Sequence, residues 1–525
     1  MPLSLVQPLK TATGPARSTW DARLVCVLTI SALIAVQLFW FSRDRRVPTM
    51  DEAGHILNAM QYANLFHHFH PWKLEWLRQF LSINPFYPPA VYIYDGALKL
   101  IFGNHRAVDI ACHLSYLTLL LAATFGITYK TARSTAAAVV ATILLFLYPQ
   151  IQHLSHAYML DLPLTAMVAA GLFSLLWWKE NPTIKRTFIT GCVLALACFT
   201  KQLGAAYLVP PCVFLLVTGN WRERQGLILI GVITSAVMLP WFLVNLAWIK
   251  SYAAENNAVM QGSQLPVFRV FIDYIVGLAH SMSYPLTAAF ALAVVLGRKS
   301  FNKNVALLAV TALGGLALTS LLSCTFALDR YAAPALITCA AITALGIAKR
   351  AMITDMVLLI GVSQVLCFSF GLNLPIPVSL REFRGVSIRS SAPHNDVGYM
   401  QEEVLGAIAT ADPGAAVWLN ILPSDGIYNP HSFELLAAEH GYAMKPTTSR
   451  RWTIMGDTVE FKPESALWFQ YYLLKTGVQG NQFRDQSSAK NEKTLEAFVR
   501  QSGHFKMLKS WTLPDKSDLS LWRQQ

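Results

Sequence analysis

The stretch LVCVLTISALIAVQLFWFSRDRRVPTMDEAGH, residues 24–55, decides the fold. Its first part, Leu24 to Phe41, carries no charge. A helix of roughly 20 such residues is what about 30 Å of hydrocarbon requires. Lys10, Arg17 and Arg23 precede the run, as they would in a signal peptide. The run is too long for the apolar core of such a peptide and no small-residue cleavage site follows, so it reads as a retained first membrane span. Arg43, Arg45 and Arg46 then stand where lipid phosphates would lie, either as contacts to lipid heads or as a juxtamembrane anchor. Next come two adjacent carboxylates, Asp51 and Glu52.

Working outward, further apolar runs begin near Val108, Thr135, Leu160, Phe188, Ala205, Leu227, Phe271, Val305, Ala332 and Met352, for about eleven transmembrane helices. Composition agrees: only 14% of the 525 residues are charged, against roughly 25% in soluble proteins. From Val378 onward the chain holds 16 basic and 16 acidic side chains, so the net charge of +12 belongs entirely to the preceding part. The expectation is an α-helical polytopic membrane domain over residues 1–377, with a first outer loop at about 42–106, followed by a soluble α/β domain over 378–525. A single-core soluble enzyme, a disordered chain and a disulfide scaffold are excluded.

Sidedness follows from the basic residues, which accumulate in short cytoplasmic loops. With the N-terminus inside, the inner loops 130–133, 179–186, 221–226, 298–303 and 349–350 hold twelve Lys/Arg, whereas the outer connections 148–158, 200–204, 250–269 and 325–330 hold four. Topology therefore accounts for much of the basic pI of about 9.3 without a nucleic-acid partner. An odd number of spans puts the tail outside, with the first large loop. All eight cysteines lie in or beside apolar runs and form no CxxC pair, which reads as inert buried thiols. In the tail the pattern predicts helices near 402–411, 432–440 and 493–502, a strand at 415–420, an apolar segment at 466–474 and a hairpin over 505–522.

Polar groups gather at the outer surface. Asp51 and Glu52 would suit the first turn of a helix from Ala53 to Phe66, and that alone would explain them. Yet Asp161 opens the fourth span in Tyr158-Met159-Leu160-Asp161-Leu162-Pro163-Leu164. Lys201 lies in the short link between spans five and six, and Arg330 precedes Tyr331 where span ten begins. Charged groups next to hydrocarbon are costly unless paired or used, and these five could share one outward-facing pocket. Asp109 with His113, and Asp273 with His280, read as structural pairs. Trp72, Trp76, Phe86, Tyr87, Tyr92 and Tyr94 either mark interfacial helices or line a groove for sugar or prenyl chain.

In order, these motifs are the Asp51-Glu52 pair, Tyr87-Pro88-Pro89, Asp161-x-Pro163-Leu164, Lys201 with Pro210-Pro211 beyond it, and Arg330-Tyr331-x-x-Pro334. Together, over roughly residues 20–375, they resemble the GT-C superfamily of integral membrane glycosyltransferases, in its protein O-mannosyltransferase and aminoarabinose-transferase branch. The resemblance implies a monosaccharide donor on polyprenyl phosphate at the extracytoplasmic leaflet and a hydroxyl acceptor on glycan, lipid or protein. It implies Asp51 as general base with Glu52 beside it, Lys201 and Arg330 on the phosphate, and Asp161, Tyr87 and Tyr331 in substrate binding, with inversion at the anomeric carbon.

One departure is visible: where relatives often carry an acid and a base before the Pro-Pro step, this chain has Phe86 and Tyr87. No cofactor is certain; a divalent metal would have to draw on His55, four residues after Asp51, or on His67, His68 and His70, which read more simply as a solvated cluster. The competing reading from another class is a transporter or flippase for a lipid-linked saccharide, which inverted repeats or matched broken helices would favour.

Overall fold

The computed structural model describes residues 19–259, 265–322, 329–372, 382–383, 386–387, 391–396, 398–423, 427–447, 463–477 and 486–525. The bundle begins with α1 (Thr19–Phe41). The first loop then folds as three helices, α2 (Met50–His67), α3 (Leu74–Ser82) and α4 (Ala90–Phe102). There follow α5 (Arg106–Ala132), α6 (Thr135–Leu147), α7 (Pro149–His156), α8 (Asp161–Glu180), α9 (Ile184–Thr200), α10 (Gly204–Thr218) and α11 (Trp221–Val259). The bundle closes with α12 (Val267–Met282), α13 (Tyr284–Gly297), α14 (Lys303–Leu322), α15 (Ala335–Ile347) and α16 (Ala351–Phe368).

Among the described residues six helices are long and apolar enough to cross a membrane, in α1, α5, α8, α11, α14 and α16. Two bent pairs, α6 with α7 at 64° and α12 with Tyr284–Ser300 at 104°, raise the number to eight if each pair is one span. Each of the eleven expected starts lies in or within a turn of a helix, but the count of eleven spans is not reached. The difference is one of length: α9, α10 and α15 have 17, 15 and 13 residues, short of the roughly 20 a span needs. In α15 every residue but Leu345 is buried, so its apolarity serves the interior of the bundle. By contrast α1 exposes Leu24, Val27, Leu28, Leu38 and Phe39, the surface expected of a helix in lipid.

The tail is a five-stranded mixed sheet. After a two-residue hairpin of β1 (Glu382–Phe383) and β2 (Val386–Ser387) come β3 (Val417–Ile421), β4 (Met444–Thr447), β5 (Tyr471–Lys475), β6 (Phe505–Thr512) and β7 (Asp518–Gln524). They run in the spatial order β4-β3-β5-β7-β6. Strands β4, β3 and β5 are parallel, and β5, β7 and β6 antiparallel. Side chains alternate across a strand. Tyr471 and Leu473 therefore face the cluster that includes Val404, Leu405 and Phe433, from α17 (Gln401–Ala411) and α18 (Pro430–Glu439). Tyr472 and Leu474 face Leu495 and Val499 of α19 (Gln486–Gln501). Both faces of β5 are thus covered, which explains why the predicted apolar segment there is continuous.

The helices that shape the first loop pack through small residues. Gly96 of α4 lies so close to α2 that an added Cβ would sit 2.8 Å from Tyr62 Cβ and 2.9 Å from the Ala59 carbonyl. Around it Tyr62 donates to the Phe80 carbonyl at 2.6 Å, and the Trp76 indole to Leu65 at 3.2 Å. Gly96→Ala should therefore separate α2 from α4 at a cost of about 1–3 kcal/mol. Thermal unfolding in detergent should show a lowered midpoint; an unchanged midpoint would mean that this contact is looser than the geometry indicates.

Candidate active site

Four charged side chains meet at one end of the bundle, each placed by a helix end or turn. Asp161 is the first residue of α8 and is almost wholly buried; its placement in the first turn suits the helix dipole. Lys201 follows the last residue of α9 in extended conformation. Its link to α10 is tight: a Cβ on Gly204 would lie 2.6 Å from the Ala197 carbonyl, so a residue without a side chain is needed there. Lys201 Nζ donates to Asp161 Oδ1 at 2.7 Å. Both partners are buried, and deleting either would strand a charge at a cost of about 3–5 kcal/mol.

Arg330 sits in a 3-10 turn, Asp329–Ala332, that Tyr207 secures by donating from its hydroxyl to the Tyr331 carbonyl at 2.7 Å. Its guanidinium lies between two carboxylates, with Nη1 3.7 Å from Asp51 Oδ2 and Nε 3.9 Å from Asp161 Oδ2. Both separations exceed an ordinary charge-assisted hydrogen bond. Arg330 Nε is buried and has no hydrogen-bond partner among the described residues. Burial would lower the guanidinium pKa, but Asp161, Tyr331 and Asp51 together raise it. The result is a permanent cation with unused donor capacity.

Aromatic rings frame the cations. Lys201 Nζ is 4.6 Å from the Tyr331 ring centroid and 5.6 Å from that of Tyr87. Tyr87 is held by an Asn84 turn, in which Asn84 Oδ1 accepts from the Phe86 and Tyr87 amides at 2.9 Å each. Gln202, next to Lys201, donates to the Phe86 carbonyl at 2.7 Å. The Tyr-Pro-Pro step and the lysine turn are thereby joined. Burial raises the Tyr87 pKa, so its phenol stays protonated.

The carboxylate pair on α2 divides its work. Asp51 is open, with 61% of its side chain exposed. Glu52 turns inward: one oxygen accepts from the Thr49 amide and hydroxyl at 2.9 and 2.7 Å, the other from Arg46 at 2.9 Å and from the Tyr158 amide at 2.8 Å. Burial alone would raise its pKa, but Arg46 and these hydrogen bonds hold it below the usual carboxylate value. Both Glu52 oxygens are thus committed to the start of α2. The structure places Glu52, expected beside Asp51 among the reacting groups, in contacts at the start of the helix that carries Asp51.

His55 is also enclosed. Its Nδ1 is 2.9 Å from the Tyr92 hydroxyl, and burial pushes its pKa down to about 4 despite the pull of nearby Asp51. Among the described residues no three His, Cys, Asp or Glu side chains converge as metal ligands. Asp109 pairs with Lys99 at 2.6 Å, and His113 bonds the Leu154 carbonyl at 2.8 Å, so these two do not pair with each other. His280 pairs with Asp329 at 3.2 Å in place of Asp273. Sequence reasoning brought Asp51, Asp161, Lys201, Arg330, Tyr87 and Tyr331 together correctly as neighbours. It gave no site role to Asn84, whose bonds to the Phe86 and Tyr87 amides form a local turn, or to Tyr158 and Gln202, whose contacts come from distant parts of the chain; Arg46 and Tyr92 it read only as a lipid-facing arginine and a loop aromatic.

Similarity to known proteins bears on this geometry. Residues 62–251 match the family model of dolichyl-phosphate-mannose-protein mannosyltransferases. The structure of ArnT from Cupriavidus metallidurans bound to undecaprenyl phosphate superposes with a TM-score of 0.57 at 14% identity, covering 96% of this chain and 98% of that one. The same protein in the apo state gives 0.56 at 14% identity, over 95% and 98%. No curated protein sequence matches the chain. Over nearly its whole length the chain thus shares the fold of ArnT.

Proposed function

We propose that the chain transfers a monosaccharide from a polyprenyl-phosphate donor to a hydroxyl acceptor at the extracytoplasmic face of a membrane. The observation that carries this reading is Arg330. A half-buried guanidinium whose buried Nε has no hydrogen-bond partner among the described residues, beside a buried lysine, suits an anion that arrives with the substrate. The phosphate of a lipid-linked sugar is such an anion, and ArnT, of the same fold, is known bound to undecaprenyl phosphate. An apolar cavity of about 400 Å³ lies between α9, α10 and α11, lined by Leu194, Leu208, Val213 and Met238, with Gln202 at its edge beside Lys201. It offers prenyl carbons a path away from the cations.

The chemistry needs two things of the protein. The acceptor hydroxyl oxygen attacks the anomeric carbon while Asp51 takes its proton; the bond from that carbon to the phosphate oxygen breaks, and its electron pair leaves on the polyprenyl phosphate. Lys201 and Arg330 stabilise that growing charge where water is sparse. Asp51 is the open carboxylate of the group, so it is the one an acceptor can reach; Asp161 is spent on Lys201. A single displacement of this kind inverts the anomeric configuration. His55, held neutral, adds no competing charge.

Three measurements check the reading. Asp51→Asn should lower turnover by about 10² to 10⁴, the range for a lost general base, with membrane insertion and donor binding preserved; a fully active variant would remove the assignment. Arg330→Gln should raise the KM for donor and also lower kcat, because it loses a contact that strengthens as charge develops. Labelled sugar moving from donor to acceptor in detergent, with no second compartment, also separates an enzyme from a carrier.

A further inference from the structure

The segment between α1 and α2 leads directly into the helix turn that bears Asp51, yet it forms no regular structure from Ser42 to Thr49 apart from a single bridge. A connector of that kind ordinarily opens at low cost. Here the tail ties nearly every turn of it. Just before it, at the end of α1, the Trp40 indole donates to the Ser369 carbonyl after α16 at 2.8 Å and to the Ser391 carbonyl of the tail at 3.0 Å. The Arg45 amide donates to the His394 carbonyl at 2.8 Å, the His394 amide to Asp44 Oδ1 at 3.0 Å, and the Val47 amide to Asp396 Oδ2 at 2.9 Å. Ser432 of α18 donates to the Pro48 carbonyl at 2.7 Å.

Packing continues the ties. Leu435 of α18 is buried against Ala53 and Ile56 of α2. The His431 ring lies over Gly54, where an added Cβ would be 3.9 Å from it. Gly54 is three residues on from Asp51, hence on the same face of the helix.

We propose that the tail is a splint for the Asp51 segment: residues 391–396 and α18 fix the entry and face of α2, so that Asp396, Ser432 and Leu435 act as positioning residues for a carboxylate they do not touch. This rests on the transferase reading for its effect on rate, but not for its effect on structure. A displacement of about 1 Å at a reacting group costs on the order of 10²-fold in rate, so loosening the splint should appear in kcat before it appears in donor affinity.

The test uses the full chain in detergent with Asp396→Ala, Ser432→Ala and Leu435→Ala, and Lys509→Ala on the exposed face of β6 as a control. Hydrogen exchange over residues 44–57 should rise about tenfold in the three variants, in keeping with loss of a tie worth about 1.4 kcal/mol, and stay unchanged in the control. Turnover should fall while the KM for a polyprenyl-phosphate sugar holds. Unchanged exchange over 44–57 would overturn the splint, as would faster exchange with undiminished kcat. If the unaltered protein transfers no sugar at all, the transferase reading fails, and exchange alone still decides whether the tail holds this segment.

Discussion

Everything at the site depends on the buried ion pair between Lys201 and Asp161, 2.7 Å apart at the ends of α9 and α8. Neither charge would be tolerated alone beside hydrocarbon, because the penalty for desolvating an isolated ion is several kcal/mol. Together they settle the register of two helices and leave Arg330 as the cation whose carboxylate neighbours are too far for close hydrogen bonds. On the reading proposed above, the arrangement separates structural from reactive charge. Asp161 is consumed in holding Lys201, Glu52 in holding the start of α2, and Asp51 and Arg330 remain available.

Helix ends do most of this positioning. Asp51 lies in the first turn of α2, Asp161 begins α8, Lys201 follows α9 and Arg330 precedes α15. Ends are where backbone groups are unsatisfied and side chains can cap, turn or reach ligands. Two close approaches keep them in place: Gly204 against Ala197 sets the lysine turn, and Gly96 against Tyr62 seats α4 on α2. Tyr87 then closes over the lysine because Asn84 and Gln202 fix its loop from both sides.

The parts legible from sequence were those with a local signature. A charge beside an apolar run is conspicuous, so Asp51, Asp161, Lys201 and Arg330 stood out, and the tail's apolar runs placed α17, α18, β3 and the β6–β7 hairpin within a few residues, while β4 was not foreseen. The number of spans was not legible in the same way. Apolarity marks both a helix in lipid and a helix buried in the bundle, and α15, almost wholly enclosed, belongs to the second kind. The role of Glu52 was hidden for another reason: its partners Arg46, Thr49 and Tyr158 include a residue 106 positions away, brought close only by the fold. Pairs read by proximity in sequence, such as Asp109 with His113, were replaced by pairs across helices.

The most direct test of the central claim is an experimental structure of the protein with a polyprenyl phosphate bound. The account predicts a phosphate within hydrogen-bonding distance of Lys201 Nζ and the Arg330 guanidinium, with Asp51 on the opposite side of the space left for a sugar and the prenyl chain leading toward Gln202 and α10. A phosphate bound elsewhere, with Arg330 still pointing between Asp51 and Asp161 and nothing on it, would contradict the account.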